Sequence, residues 1–396
     1  MDSQKRDWYR FPWSLVDTPG AWIEVTDSCD LACPGCFRQR IEGHRPLDVI
    51  KDEIILSQKA TNCERIAIAG GEPLLYPHLL EVVEFITKQG MKAVLMTNGE
   101  SLTWERAVEL KKAGLVQFYF HVDSGQQRPG WEGKNEIEMN ELRQRFADLT
   151  SELKGVQCGY NITVTRQNLG LIPNVVDWGL ANIDQVQSLS LIAFRGLLVS
   201  GGAAYQAGGA SVDVRSLRCA TETSGAVDIT SDEMLDLVRR SRPDFQPCAF
   251  LNGTEDPATN KFIVVVAIGR RDDVFGVFGP RAIELVQVLQ HFFTGRYTSL
   301  VRTPRLSRSV FTLGLWDRGV RSAFRRFLKR SIRLPLGLVR GVHLQCVNLV
   351  QPTEFIGEKK NFCDGCINLI PWKGKMVHSC CLDEYRIFGG ELRPEA

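Results

Sequence analysis

The sequence predicts an α/β fold, a partial (β/α)6 barrel of parallel strands followed by an irregular, cysteine-rich C-terminal extension. Three observations predict it. Short apolar β-type runs alternate six times with helix-spaced stretches through the first half of the chain. Such alternation builds parallel strands joined by right-handed crossovers. Polar or glycine-rich residues close each run, where folds of this class keep their chemistry, and six units are too few for a complete eightfold barrel.

The elements follow in order. Residues 22–26 read as a strand that delivers a cysteine-rich loop, and 47–60 carry helical spacing at Val49, Ile50, Ile54 and Ile55. A strand at 65–69 ends in Gly70, Gly71, Glu72 and Pro73, before a helix over 78–88. Strand 92–96 closes on Thr97-Asn98-Gly99 and leads to helix 104–113. Strand 116–122, helix 137–153, strand 156–164, helix 172–181 and strand 186–194 complete the series. His121, Asp123, Ser124, Asn161, Thr163 and Arg195 all fall late in their strand or just after it.

Beyond Arg195 the pattern breaks. Residues 201–209 are rich in glycine and alanine and read as a loop or lid rather than a phosphate cradle, which needs a strand before it and a helix after it. A helix at 232–240, a strongly β-forming run at 261–269 and an amphipathic helix at 281–293 come next. The expected organisation is a core barrel at 16–200, an irregular segment completing it at 201–295, a basic amphipathic segment at 296–343 and a cysteine-rich tail at 344–396.

The bulk properties exclude several classes. The chain has 396 residues, 44% hydrophobic and 24% charged, the balance of an ordinary globular protein. A net charge of +2 names no polyelectrolyte partner for the whole molecule, and nucleic acid is not expected. No apolar signal segment opens the sequence, and the longest apolar run, 262–268, is too short to span a bilayer. Twelve cysteines without a signal segment argue for metal or cluster ligation in a reducing compartment, hence a cytoplasmic location.

The densest chemistry lies in Thr26-Asp-Ser-Cys-Asp-Leu-Ala-Cys-Pro-Gly-Cys-Phe37. Thiolates at Cys29, Cys33 and Cys36 are soft ligands for zinc, copper(I) or iron–sulfur clusters. A structural zinc site would need a fourth ligand, and His44 is the nearest candidate. Three thiolates with no evident fourth fit a [4Fe–4S] cluster that keeps one iron open. Downstream, Gly70 and Gly71 permit close approach of backbone to a ligand, and Glu72 is a carboxylate able to accept from an ammonium group.

Together the triplet and the Gly-Gly-Glu-Pro stretch closely resemble the radical S-adenosylmethionine (SAM) superfamily, over roughly residues 20–200. The resemblance implies that Cys29, Cys33 and Cys36 hold a [4Fe–4S] cluster whose open iron chelates SAM. Reductive cleavage would then give a 5′-deoxyadenosyl radical that abstracts a substrate hydrogen, with flavodoxin or ferredoxin as electron donor. It places Phe37 near the adenine, and Gly70, Gly71, Glu72 and Pro73 in the segment that contacts the methionine amino group. Ser124, Asn161 and Arg195 are ribose or carboxylate candidates by strand ordinal, and equally candidates for satisfied polar residues of the rim.

The tail adds Cys346, Cys363, Cys366, Cys380 and Cys381. Cys363-Asp-Gly-Cys366 is a Cys-x2-Cys knuckle, and the group resembles the auxiliary-cluster extensions (SPASM or twitch type) of radical SAM enzymes, without the full seven-cysteine spacing. One auxiliary [4Fe–4S] cluster on four of these five is the expectation, with a zinc knuckle as the alternative. Cys63, Cys158, Cys219 and Cys248 are isolated and read as buried structural thiols.

Residues 296–340 hold twelve Lys or Arg against one acid, Asp317. Val320, Ala323, Phe324, Phe327, Leu328 and Ile332 keep helical spacing there, so 318–333 is an interfacial helix on an anionic membrane, a contact for another polyanion, or a surface helix packed on the barrel. The first choice implies a lipid substrate, and residues 121–131 with the tail knuckle loosely resemble the radical SAM enzymes that modify archaeal-type lipids. A peptide maturase, a radical methylase and a non-catalytic iron–sulfur or zinc protein are the competing readings.

Overall fold

The computed structural model describes residues 7–34, 36, 38–39, 43–199, 204–221, 228–300, 309–332, 338 and 341–395. Its core is the expected set of six parallel strands: β1 (Gly20–Thr26), β2 (Arg65–Gly70), β3 (Lys92–Thr97), β4 (Leu115–His121), β5 (Gln157–Val164) and β6 (Val186–Ala193). They lie side by side in chain order. The crossovers carry α1 (Leu47–Thr61), α2 (Leu79–Lys88), α3 (Trp104–Ala113), α4 (Asn140–Leu153) and α5 (Ile172–Ala181).

Strand alternation explains how this sheet makes both a core and a lumen. In β4, Phe118 and Phe120 are fully buried on the helix side, where Phe120 stacks on Phe146 of α4 at 4.4 Å. Gln117, Tyr119 and His121 take the opposite phase and face the concave side. Local signals fix the helix ends. The Thr103 hydroxyl accepts from Arg106 N at 3.2 Å at the start of α3, and Gly114, at φ +109°, lets the chain leave it.

The sheet is wider than six strands, and the segment expected to be irregular supplies part of the excess. After α6 (Ser231–Ser241) come β7 (Ala249–Asn252), β8 (Asn260–Arg270) and β9 (Asp273–Val277). Beyond α7 (Pro280–Thr294) and α8 (Arg318–Ser331), β10 (His343–Val350) lies parallel to β6, and β8 pairs antiparallel with β10. All eleven residues of β8 are buried. A strand covered on both faces shows no alternation, so its place in the sheet was not legible. At the other edge β11 (Leu369–Trp372) pairs with β1, and β12 (Lys375–His378) with β11, before the short α9 (Leu382–Phe388).

Two other expectations change. In the Gly/Ala-rich stretch, residues 201–203 lie outside the described residues. Tyr205–Ala207 and Ala210–Val212 form a hairpin about Gly208 and Gly209, at φ +61° and +87°, and Arg393–Pro394 pairs with it. In α8 the apolar stripe is not free for lipid. Val320, Ala323 and Phe327 are buried in a second core with Phe275, Ile283 and Phe311, while Phe324 and Ile332 remain exposed. Arg326 pairs with Asp244 at 2.9 Å, Arg330 pairs with Asp273, and Arg321 donates to the Gly314 and Leu315 carbonyls. Arg333 lies outside the described residues. Among the described residues no helix is long and apolar enough to cross a membrane.

Asp317, the only acid of the basic stretch, ties two helix starts together. Its carboxylate accepts from Val320 N at 2.9 Å, and from Gly279 N and Ala282 N at 3.0 Å each. Asp317→Ala orphans all three donors and lowers unfolding free energy by about 2 kcal/mol, read from urea denaturation. Asp317→Asn, which keeps one acceptor oxygen, loses less. Equal stability of the Ala variant and the parent would contradict this role.

Candidate functional site

The cysteine loop leaves the C-terminal end of β1 and is closed at its neck by Thr26. The Thr26 hydroxyl contacts Gly43 O and His44 Nδ1 at 2.9 Å each and accepts from Ser28 N at 3.1 Å. Asp27 N donates to Gly43 O at 3.1 Å. His44, the nearest candidate for a fourth zinc ligand, thus serves the neck of the loop. Cys29 is exposed, while Cys33 and Cys36 are half-buried. Burial pushes the Cys33 thiol up to about 12, with Cys36, Asp123 and Cys29 adding to the rise. Cys29 is raised too, by burial first. Cys33 and Cys29 both lie within reach of the Cys36 charge. Among the described residues, no three Cys, His, Asp or Glu side chains converge tightly enough for a single metal ion.

The second motif meets the first directly. Gly71 N donates to Thr26 O and Glu72 N to Ser28 O, both at 2.7 Å. A Cβ on Gly70, which sits at φ +140°, would collide with Thr26 O, and one on Gly71 with Ser28 O. The glycines are required by contact with the chain's own cysteine loop. Glu72 is fully buried and its carboxylate is already engaged: it accepts from Thr97 Oγ1 at 2.6 Å, Asn98 N at 2.7 Å and Leu74 N at 3.0 Å. Burial raises its pKa to about 7 in spite of these donors. The Glu72 side chain therefore laces the ends of β2 and β3 together rather than standing ready for an ammonium group. Pro73 begins the short helical turn that follows and is buried.

Asn98 continues the lacing, with Nδ2 2.7 Å from Asp30 Oδ1 and 3.9 Å from Cys29 Sγ. Beneath it, buried Arg128 donates to Asn98 O and, at 2.9 Å, to His121 O. At the next strand ends, His121 Nε2 lies 2.8 Å from Asp123 Oδ2 and 3.0 Å from Thr163 Oγ1. Asn161 stands opposite His121 in the sheet, with Nδ2 3.7 Å from Met96 Sδ. Asn161 thus stands at the rim of the sheet beside His121.

Ser124 and Arg195 are placed differently. Ser124 N and Oγ both donate to Glu136 Oε1 at 2.7 Å, and Glu136 is paired with fully buried Arg143, so this serine fastens a loop. Arg195 pairs with Glu384 at 3.2 Å. Burial opposes its charge, yet Cys380, Cys381, Cys219 and Glu384 raise its pKa. It belongs to the tail sulfurs, not to the cysteine loop. Phe37 lies outside the described residues.

In the tail, Cys363, Cys366 and Cys380 are mutual electrostatic neighbours, and Cys381 lies beside Cys380 with Lys360 Nζ 3.4 Å from its sulfur. The Cys380 pKa is lowered, first by its hydrogen bond with Cys381 and then, against burial, by Arg195 and Lys360. Cys346 does not join them. It sits within β10 between Ser188 and Val266, beside Cys248 and Tyr119.

The tail also grips the cysteine loop. Glu24 on β1 pairs with Arg38 of that loop and, at 3.1 Å, with Arg386 of α9. Arg386 also reaches Asp27 at 2.8 Å, and Asp383 accepts from Gln39 N at 3.0 Å. Arg218 donates to Cys33 O at 3.1 Å from the other side. Sequence reasoning missed Arg218, Asp383 and Arg386, because no local pattern announces partners more than 180 positions apart.

A family model described as the radical SAM superfamily matches residues 23–169, the stretch that contains the cysteine loop, the Gly-Gly-Glu-Pro turn and strands β2 to β5. Residues 23–169 carry a radical SAM domain. Fe-coproporphyrin III synthase of Methanosarcina barkeri is 26% identical over 183 residues, 44% of this chain and 44% of that protein. AdoMet-dependent heme synthase of Oleidesulfovibrio alaskensis is 30% identical over 155 residues, 38% of this chain and 39% of that protein. The chain spans less than half the length of these curated relatives. SuiB of Streptococcus suis bound to S-adenosylmethionine aligns at a TM-score of 0.39 and 16% identity, over 57% of this chain and 47% of that one. The radical SAM family uses a [4Fe–4S] cluster and SAM, and the donor set here fits: three soft sulfurs on one loop, two of them half-buried.

Glu72 gives the site a pH signature. Its folded-state pKa of about 7 lies above its ordinary 4.5, so the folded chain holds a proton between those values. Its contribution is complete below pH 4.5 and is lost as pH rises through about 7. The melting temperature of the metal-free parent should fall relative to Glu72→Gln across that window. A pH-independent difference between the two would contradict the assignment.

Proposed function

We propose that this protein is a radical SAM enzyme acting on an unactivated C–H position of its substrate. One observation carries the reading: the loop with Cys29, Cys33 and Cys36 is fastened at the mouth of the sheet by the Gly-Gly-Glu turn, through two 2.7 Å backbone bonds. With a [4Fe–4S] cluster held by these three cysteines and SAM bound to it, the site would supply one-electron cleavage of the sulfonium and a 5′-deoxyadenosyl radical. The chain's own part is placement and exclusion. Gly70 and Gly71 set the distance between loop and strand end, Asn98 and Arg128 brace the floor beneath the sulfurs, and Asn161 and His121 line the rim where a substrate would lie. As for other radical SAM enzymes, a flavodoxin or ferredoxin is the natural reductant.

The tail supports an auxiliary [4Fe–4S] cluster on Cys363, Cys366, Cys380 and Cys381. Lys360, Lys261 and Arg195 stand beside these sulfurs and would offset the negative charge of such a group. The lipid reading loses the observation that motivated it, since the stripe of α8 packs on β9 and on the turn over Ser309–Leu315.

Reconstituted, reduced protein should convert SAM to 5′-deoxyadenosine and bind about eight irons per chain with the auxiliary cluster, or about four without it. Cys36→Ala should abolish the product and remove about four irons, because the site then has only two thiolates. No 5′-deoxyadenosine from the parent with its iron intact would refute the reading.

A further inference from the structure

The lower end of the barrel, opposite the cysteine loop, holds a buried cation whose Nε and Nη1 have no hydrogen-bond acceptor among the described residues. Arg65 is the first residue of β2 and Gly70 the last. Five residues at about 3.3 Å each put Arg65 about 16 Å below the Gly-Gly turn. The residue is 5% exposed, and its Nε and Nη1 find no hydrogen-bond partner among the described residues. Neighbouring Glu64 is committed elsewhere. Its Oε1 accepts from Ser299 N at 2.7 Å and Thr298 Oγ1 at 3.0 Å, and its Oε2 pairs with Lys92 at 2.8 Å. Residues 301–308, which follow Leu300 in the chain, include no Asp or Glu.

The guanidinium lines a cavity of about 60 Å³ together with Gln117, Tyr119, Ser188 and Asn348, beside the stacked rings of Phe11 and Trp13. Gln117 is 1% exposed, and its Oε1 also lacks a partner. Turning that amide by half a revolution keeps its shape and presents N–H donors instead. A guanidinium taken out of water with no acceptor for its donors destabilises the fold, even with the Glu64 charge acting on it through space. Its planar fork of donors matches the paired oxygens of a carboxylate or phosphate. The cavity is large enough for one such group.

We propose that this cavity is an oxyanion-binding site, with Arg65 as its fork and Gln117 as a second donor. It lies at the far end of the strands from the cysteines, so its occupancy does not depend on the SAM reaction.

The test uses the full chain, purified without phosphate, in thermal unfolding at constant ionic strength. With about 10 mM inorganic phosphate or acetate, and a Kd of about 1 mM, the parent's melting temperature should rise by about 2 °C. A response to phosphate alone identifies a phosphate site, and a response to acetate alone a carboxylate site. Arg65→Met should melt no lower than the parent in the absence of anion, and should show no anion response. Arg65→Lys, which keeps the charge without the fork, should weaken the calorimetric Kd for the responding anion about tenfold. The proposal is overturned if the parent responds to neither anion, leaving water as the occupant. It is equally overturned if Arg65→Met, or Arg65→Lys where the Met variant does not fold, responds as the parent does.

Discussion

Everything at the mouth of this barrel depends on one contact between two backbones. The end of β2 must lie against the loop that leaves β1, close enough for two 2.7 Å hydrogen bonds, and only residues without a Cβ permit it. Each such bond contributes about 1 kcal/mol net, a modest energy. The geometric restriction matters more. A flexible loop carrying three cysteines has many conformations, and a seam anchored on a strand end selects one. Glu72 transmits that order to β3 through Thr97 and Asn98, and Asn98 returns it to the loop through Asp30.

The loop is held from three directions, and they differ in chemistry. The Gly-Gly side is neutral and short-range. The tail side is ionic: buried Glu24 and half-buried Asp27 face buried Arg38 and half-buried Arg386, and such charges are costly unless paired. Burial raises the pKa of Glu24, while Arg38 and Arg386 pull it down. The third side is Arg218, donating to the Cys33 carbonyl. Because α9 begins directly after Cys381, the segment with the tail cysteines is mechanically continuous with the clamp on the first cysteine loop. The tail is thus part of the architecture of the site as well as a second group of sulfurs.

Much of this was legible in the sequence, for physical reasons. The six-strand core was readable because each strand is short, apolar and closed by turn residues; helices α3 and α5 match the read spans 104–113 and 172–181. The cysteine triplet and the two glycines were readable because their spacing is local. What escaped depends on distant partners. Nothing near Ser124 says that Glu136 will take its hydroxyl, and nothing near Arg195 says that Glu384 will come to meet it. Cys346 looked like one of five tail cysteines because sequence distance hides that it lies on a sheet strand beside Ser188. The stripe of α8 showed amphipathicity but not direction, and the second core decided the direction.

The central claim is that the Gly-Gly seam sets the position of the cysteine loop and so its chemistry. The most direct measurement is the rate of 5′-deoxyadenosine formation by Gly71→Ala, compared with the parent at matched iron content. A Cβ at this position must push the loop away from β2, and a displacement near 1 Å costs roughly a hundredfold in rate. The account predicts a loss of about that size with iron binding largely retained. A Gly71→Ala protein that forms the product at the parental rate would contradict it.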